Sequence, residues 1–198
     1  MPTHIALLRG INLGGHKKVA MPELRDLVAS LGHTDVATYI QSGNVLFTPP
    51  QAGPDQAGTG QAGTAALAAE LEQAVAARLG VQAGVIVLSR DELARVAAAN
   101  PYSAEPDPRR VHVIFLPVEP GPGHADWLAG MQRQAAEKGS RDEVTLVGRA
   151  VFLHTPDGFG RSELARLLSR SGGPMSVKSA GTARNWATVT KLLARCGA

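Results

Sequence analysis

Apolar positions along the chain alternate between short continuous runs and a three-to-four spacing, and the alternation comes in the same order twice. Residues 4–10 (HIALLRG) are an apolar run closed by glycine, which predicts a strand. Residues 21–32 (MPELRDLVASLG) place Leu24, Leu27, Val28 and Leu31 on one helical face, with Pro22 at the start and Gly32 at the stop. Residues 35–48 (DVATYIQSGNVLFT) are two β-rich runs around Ser-Gly-Asn, the pattern of a hairpin. A helix over 65–80 carries Leu67, Leu71, Val75 and Leu79 at spacing four. A strand at 84–89 (GVIVLS) and a helix over 90–100, capped near Ser89, complete the first half.

Residues 101–110 (PYSAEPDPRR) hold three prolines and predict a linker. After it the order recurs. A strand over 111–117 precedes a helix over 124–139 and a hairpin over 143–155 turning at Gly148-Arg149. A helix over 161–170, a weaker strand over 175–180 (MSVKSA) and a helix over 183–196 close the chain. Each half therefore reads β-α-β-β-α-β with a trailing helix, the split-βαβ or ferredoxin-like order. The expected fold is α+β: two ferredoxin-like subdomains, each an antiparallel four-stranded sheet with helices on one face. The first is expected over 1–100, the linker over 101–110 and the second over 111–198. Residues 49–64 repeat Gln, Ala, Gly and Pro with almost no charge, and read as a flexible insert in the first subdomain.

Charge changes the picture in one place. The chain carries a formal +3, but residues 159–198 hold seven Lys/Arg and one acid, Glu163, so that segment is +6 and the remainder −3. Such asymmetry points to an anionic partner, a small molecule or nucleic acid. Aromatic residues are only 4% of the chain, which weighs against a base-stacking platform. The single cysteine, Cys196, excludes an intramolecular disulfide framework, and no His/Cys spacing suits a metal. No apolar run approaches membrane-spanning length and no leader is evident, so the expectation is a cytoplasmic protein without membrane contact. No cofactor is implied, and the oligomeric state is not readable.

Candidate binding residues fall on four loops. Residues 9–18 (RGINLGGHKK) follow the first strand. Gly10, Gly14 and Gly15 permit close backbone approach, while Arg9, Asn12 and Lys18 supply charge and hydrogen bonds. The spacing is neither a dinucleotide fingerprint nor a P-loop. In a ferredoxin-like sheet the first two strands run parallel, which sets the turn holding Gln41, Ser42 and Asn44 beside that loop. In the second half the same rule brings 156–162 (PDGFGRS) beside 181–186 (GTARNW). Arg161 and Arg184 are then expected to converge with Ser162 and Asn185 at two helix starts, where free N–H groups favour an anion. Trp186 offers an aromatic face there. Each motif also has a plain structural reading: turn glycines, self-bonding Asn and Ser, an internal Asp157–Arg pair, a core tryptophan.

Residues 7–47, with 100–102 (NPY), 156–164 (PDGFGRSEL) and 182–192 (TARNWATVTKL), closely resemble the motifs of the domain of unknown function 1697 family, in the right order. The resemblance implies two ferredoxin-like subdomains and places signature blocks on the loops above, Gly43 and Gly160 included. Ala183 stands where many relatives carry a second Thr before Arg-Asn-Trp, which weakens a hydroxyl role there. No activity comes with the resemblance. The expected function is binding of a phosphorylated or anionic ligand. The alternative is an enzyme acting on a small phosphorylated or carboxylated metabolite between the subdomains, with His16, Asp157 or Glu163 as proton carrier. A third reading makes the polar motifs loop locks of a structural or interaction module.

Overall fold

The computed structural model describes residues 1–12, 18–50, 61–170 and 181–197. The apolar run at the N-terminus is strand β1 (His4–Arg9). It leads to helix α1 (Met21–Ser30), the hairpin β2 (Thr34–Tyr39) and β3 (Asn44–Thr48), helix α2 (Gln61–Leu79) and strand β4 (Gly84–Ser89). Helix α3 (Arg90–Ala98) follows without a break. Its start is a capping box: Ser89 Oγ accepts from Glu92 N at 3.1 Å, and Glu92 Oε2 accepts from Ser89 N at 2.9 Å. The second series is β5 (Val111–Phe115), α4 (His124–Ala136), β6 (Glu143–Val147) and β7 (Ala150–His154). A 3₁₀ turn (Phe159–Arg161), α5 (Glu163–Arg170), β8 (Thr182–Asn185) and α6 (Trp186–Arg195) complete it.

The strands form two four-stranded sheets, ordered β2-β3-β1-β4 and β6-β7-β5-β8, with every neighbouring pair antiparallel. This is the expected α+β architecture in each half. One face of the first sheet (Ala6, Leu8, Val45, Phe47, Val85, Val87) packs against Leu24, Val28, Leu71 and Val75 of α1 and α2. In the second sheet Ile114, Val151 and Leu153 pack against Leu128, Leu164 and Leu168 of α4 and α5. The residues pointing the other way, among them Ile5, Leu7, Leu46, Val113 and Phe152, are at most 1% exposed. Burial on both faces explains why these strands read as unbroken apolar runs instead of alternating ones.

Two edge strands are met by a helix side chain. Glu72 Oε1 on α2 accepts from Val85 N at 2.7 Å, and Gln132 Oε1 on α4 accepts from Val144 N at 2.8 Å. Each satisfies a backbone donor that no neighbouring strand reaches. By packing, the chain divides into two units, Met1–Ala94 with Lys191–Ala198, and Arg95–Thr190. The division falls inside α3 and α6. Among the described residues no helix is long and apolar enough to cross a membrane.

Three element expectations change. The stretch 175–180 lies outside the described residues, and the fourth strand of the second sheet is Thr182–Asn185, overlapping the start of the segment, 183–196, expected to be helical. Asn185 both ends β8 and caps α6, its Oδ1 accepting from Thr188 N at 2.8 Å, so no loop separates strand from helix. The helix expected from 161 begins at Glu163, after the 3₁₀ turn. Helix α2 starts at Gln61, four residues early, and of the rest of the proposed insert, residues 49–60, all but 49 and 50 lie outside the described residues.

The turn between β2 and β3 depends on Gly43. Its φ of +77° is open to glycine at little cost, and an added Cβ would stand 2.7 Å from Ile11 Cδ1 and 2.8 Å from Leu8 Cβ. Gly43→Ala is expected to cost about 2–4 kcal/mol, combining left-handed strain with overpacking. The urea midpoint at constant m-value measures it.

Candidate functional site

In the first unit the structure brings the two expected loops together, and their polar side chains bind the backbone. Asn12 (φ +54°) donates through Nδ2 to Val19 O at 3.0 Å and Gln41 O at 2.8 Å, and its Oδ1 accepts from Val19 N at 2.9 Å. Asn44, fully buried, donates to Tyr39 O at 2.9 Å and to Ser42 Oγ at 3.0 Å. Leu8 N donates to Gly43 O at 2.8 Å. These contacts lock the turn onto the end of β1, the structural role open to Asn and Ser in such sequences. Gly10 (φ +72°), Lys18 and Gln41 are exposed at the rim. Arg9 lies against Gly84, where a Cβ would stand 3.2 Å from Nε, and its Nη1 is buried without a hydrogen-bond partner among the described residues. Gly14, Gly15 and His16 lie outside the described residues.

The second pair of loops departs from the expected convergence. Ser162 caps α5: its Oγ accepts from Ala165 N at 2.9 Å and donates to Asp142 Oδ2 at the same distance. Asp142, 6% exposed, also accepts from Leu164 N at 3.2 Å and Ser140 Oγ at 2.6 Å. The helix start read as an anion site is therefore held by the protein's own carboxylate. Arg184 is on β8, not at a helix start. It alternates with Ala183, which packs toward α4 and α5, so its side chain projects from the opposite face. There Nη1 donates to Thr182 Oγ1 and Ala183 O, both at 2.8 Å. Burial pulls this guanidinium down to about 10, still protonated at neutral pH. Trp186 opens α6 with its ring 6.3 Å from that of Phe152, a packing contact.

Arg161 is exposed on the 3₁₀ turn and belongs to a different cluster. An open recess of about 480 Å³ is lined by residues 156–159 with Asp107, Arg109 and Arg110. Asp107 is taken by Arg109, from Nε at 3.0 Å and Nη2 at 3.1 Å. Asp157 is taken by both ends of the Arg141 guanidinium. The Arg141 guanidinium holds the Asp157 carboxyl below the ordinary range, and Arg110 and Arg161 act in the same direction. Arg110 stands 3.8 Å from Glu105 and 3.9 Å from Asp107, too far for a hydrogen bond. Glu105 is itself bound to His154 Nε2 at 2.8 Å. Among the described residues the Arg161 side chain makes no hydrogen bond or ion pair. The lining thus carries two guanidiniums, Arg109 and Arg110, and two carboxylates, Asp107 and Asp157, with Arg141 bound to Asp157 from outside the lining and Arg161 near enough to act on that same carboxylate. Arg109, Arg110 and Arg141 had no site signal in the sequence, because 101–110 reads as a linker and Arg141 as one more surface charge.

Behind the recess, His112 on β5 stacks on Phe159, centroids 4.1 Å apart and planes at 30°. Burial pushes its pKa down to about 4, and its Nδ1 is buried with no hydrogen-bond partner among the described residues. The ring is neutral near pH 7. The two carboxylates with a candidate proton-carrying role are poor carriers. Arg166 and Lys138 push Glu163 down to about 2, and Asp157 is depressed by Arg141. Cys196 is buried, and burial raises its thiol, so it is not an activated nucleophile. Among the described residues no group of three or more His, Cys, Asp or Glu is placed to hold a metal ion.

Asp142→Ala removes the acceptor shared by two hydroxyls and the first turn of α5. The expected loss is about 2–4 kcal/mol, read from denaturant unfolding. His112 sets a pH dependence. Its folded pKa lies below the unfolded value, so the unfolded state binds more protons between them, and stability falls as pH drops from about 6.5 toward 4. His4 and His33, also depressed mainly by burial, act in the same sense. Unfolding measured at pH 7.5, 6 and 5 should show a shallower decline in His112→Phe, by at most about 1.4 kcal/mol per pH unit.

No curated protein sequence matches the chain. Among solved structures, a conserved bacterial protein from Streptococcus pneumoniae superposes with a TM-score of 0.68 at 22% identity, over 98% of each chain. At that identity the likeness speaks for the fold. A family model, "Protein of unknown function (DUF1697)", matches residues 1–152, which contain β1 through β6 and most of β7. The chain belongs to the DUF1697 family.

Proposed function

We propose that the protein binds a small phosphorylated or otherwise anionic ligand in the recess lined by Asp107, Arg109, Arg110 and residues 156–159, with Arg161 beside it. The observation that carries this reading is the charge imbalance around Asp157. Arg141 already pairs with that carboxylate, yet Arg110 and Arg161 also act on it; Arg110 stands beyond hydrogen-bond distance of Glu105 and Asp107, and Arg161 makes no ion pair among the described residues. Holding guanidiniums together without matching acids costs repulsion, which a ligand with two or more negative charges relieves. The planar fork of Arg suits phosphate and carboxylate oxygens, and each charge-assisted bond contributes about 1.5–3 kcal/mol. An internal role for Asp142 at the start of α5 fits the same reading, since it leaves the recess, not the helix end, as the open cationic surface. The depressed Asp157 and Glu163 favour binding over proton transfer.

Titration calorimetry with inorganic phosphate and pyrophosphate tests this. Binding is expected to weaken as NaCl is raised, and Arg110→Gln and Arg161→Gln should each lower affinity about tenfold or more while leaving the thermal midpoint of the free protein within a few degrees. Equal affinity in native protein and both variants would place the anion elsewhere.

A further inference from the structure

The recess has one wall that charge does not explain. Phe159 lines it and is 43% exposed, one of the few large apolar residues left open to solvent. Its position is fixed. The 3₁₀ turn holds its backbone, with Arg161 N donating to Gly158 O at 3.0 Å and Ser162 N to Phe159 O at 3.2 Å. The ring rests on His112, which stands on the central strand β5 and cannot yield without disturbing the sheet. An exposed aromatic ring held rigidly costs apolar hydration without any packing return on its open side. Two residues further along the same turn is Arg161, and across the recess are Arg109 and Arg110.

A flat apolar surface next to a cluster of guanidiniums matches a ligand with a flat ring at one end and a phosphate at the other. Resting on the anion-binding reading above, we infer that the ligand is a free mononucleotide, its base stacked on Phe159 and its phosphate held by Arg110 and Arg161. Base–aromatic stacking is tolerant of base identity, so purine and pyrimidine nucleotides should bind with similar rank.

Calorimetry with AMP, ribose 5-phosphate and inorganic phosphate separates the two levels of the reading. AMP is expected to bind about tenfold tighter than ribose 5-phosphate, the gain being that of one stacked base. Phe159→Leu should erase that tenfold difference and leave ribose 5-phosphate affinity unchanged. Phe159→Trp should restore it, and the indole fluorescence at 159 should be quenched by AMP but not by ribose 5-phosphate. Circular dichroism and the thermal midpoint of each variant verify that the sheet survives. Equal binding of AMP and ribose 5-phosphate by the native chain overturns the mononucleotide inference and leaves the anion site standing. Failure of all three probes to bind overturns both. A single-stranded oligonucleotide binding tenfold tighter than AMP overturns the assignment to a free nucleotide.

Discussion

The constraint on which the rest depends is burial of both faces of the central strands. Ile5 and Leu7 on β1 alternate with Ala6 and Leu8, and all four are at most 2% exposed. Val113 and Phe115 alternate with Ile114 in the same way on β5. Such strands have no solvated face on which to carry charged chemistry, since burying an unpaired charge or hydrogen-bonding group costs several kcal/mol. Polar function is pushed to strand ends and to the connections beyond them. Arg9 is the last residue of β1, Arg110 immediately precedes β5, and Asp157 and Phe159 follow β7.

At those ends the protein spends many of its polar side chains on itself. Asn12 and Asn44 close the first loops onto backbone carbonyls, and Asp142 gathers two hydroxyls and an amide at the start of α5. Asn185 serves α6 in the same manner. A residue type suited to grasping a ligand is equally suited to replacing one, and geometry alone decides between them. The recess beside residues 156–159 differs in that Arg110 stands beyond hydrogen-bond distance of its acids and Arg161 beside it makes no ion pair among the described residues.

Regular elements were legible because their periodicity survives in a single chain. The stripe of Leu24, Leu27 and Val28 on α1, the apolar runs of β1 and β5, and the glycine at each hairpin all marked their elements, and the sheet order followed from the sequence of elements. The end of the second half was not legible. The four residues of β8 carry one apolar side chain, Ala183, and pass into α6 through a single shared residue, so helical periodicity extended back over the strand. That placed Arg184 at a helix start when it lies within a sheet. The cationic recess was hidden for another reason. Three prolines marked 101–110 as a linker, but the turns they make are stitched by Glu105, Asp107 and His154, which aims Arg109 and Arg110 at a loop about fifty residues away in sequence. Long-range pairing of this kind leaves no periodic trace.

The side chains of Glu72 and Gln132, each capping a lone amide on an outer strand, have a bearing on how the molecule behaves at high concentration. A strand from a second copy adding to β4 or β6 would have to evict a carboxylate or carboxamide already seated on the donor it needs. The exchange replaces one bond by another and gains nothing at that position, which breaks the continuous ladder on which fibrillar stacking relies. Two helices that shield the hydrophobic interior thereby also hinder strand addition at these two edges, β4 and β6.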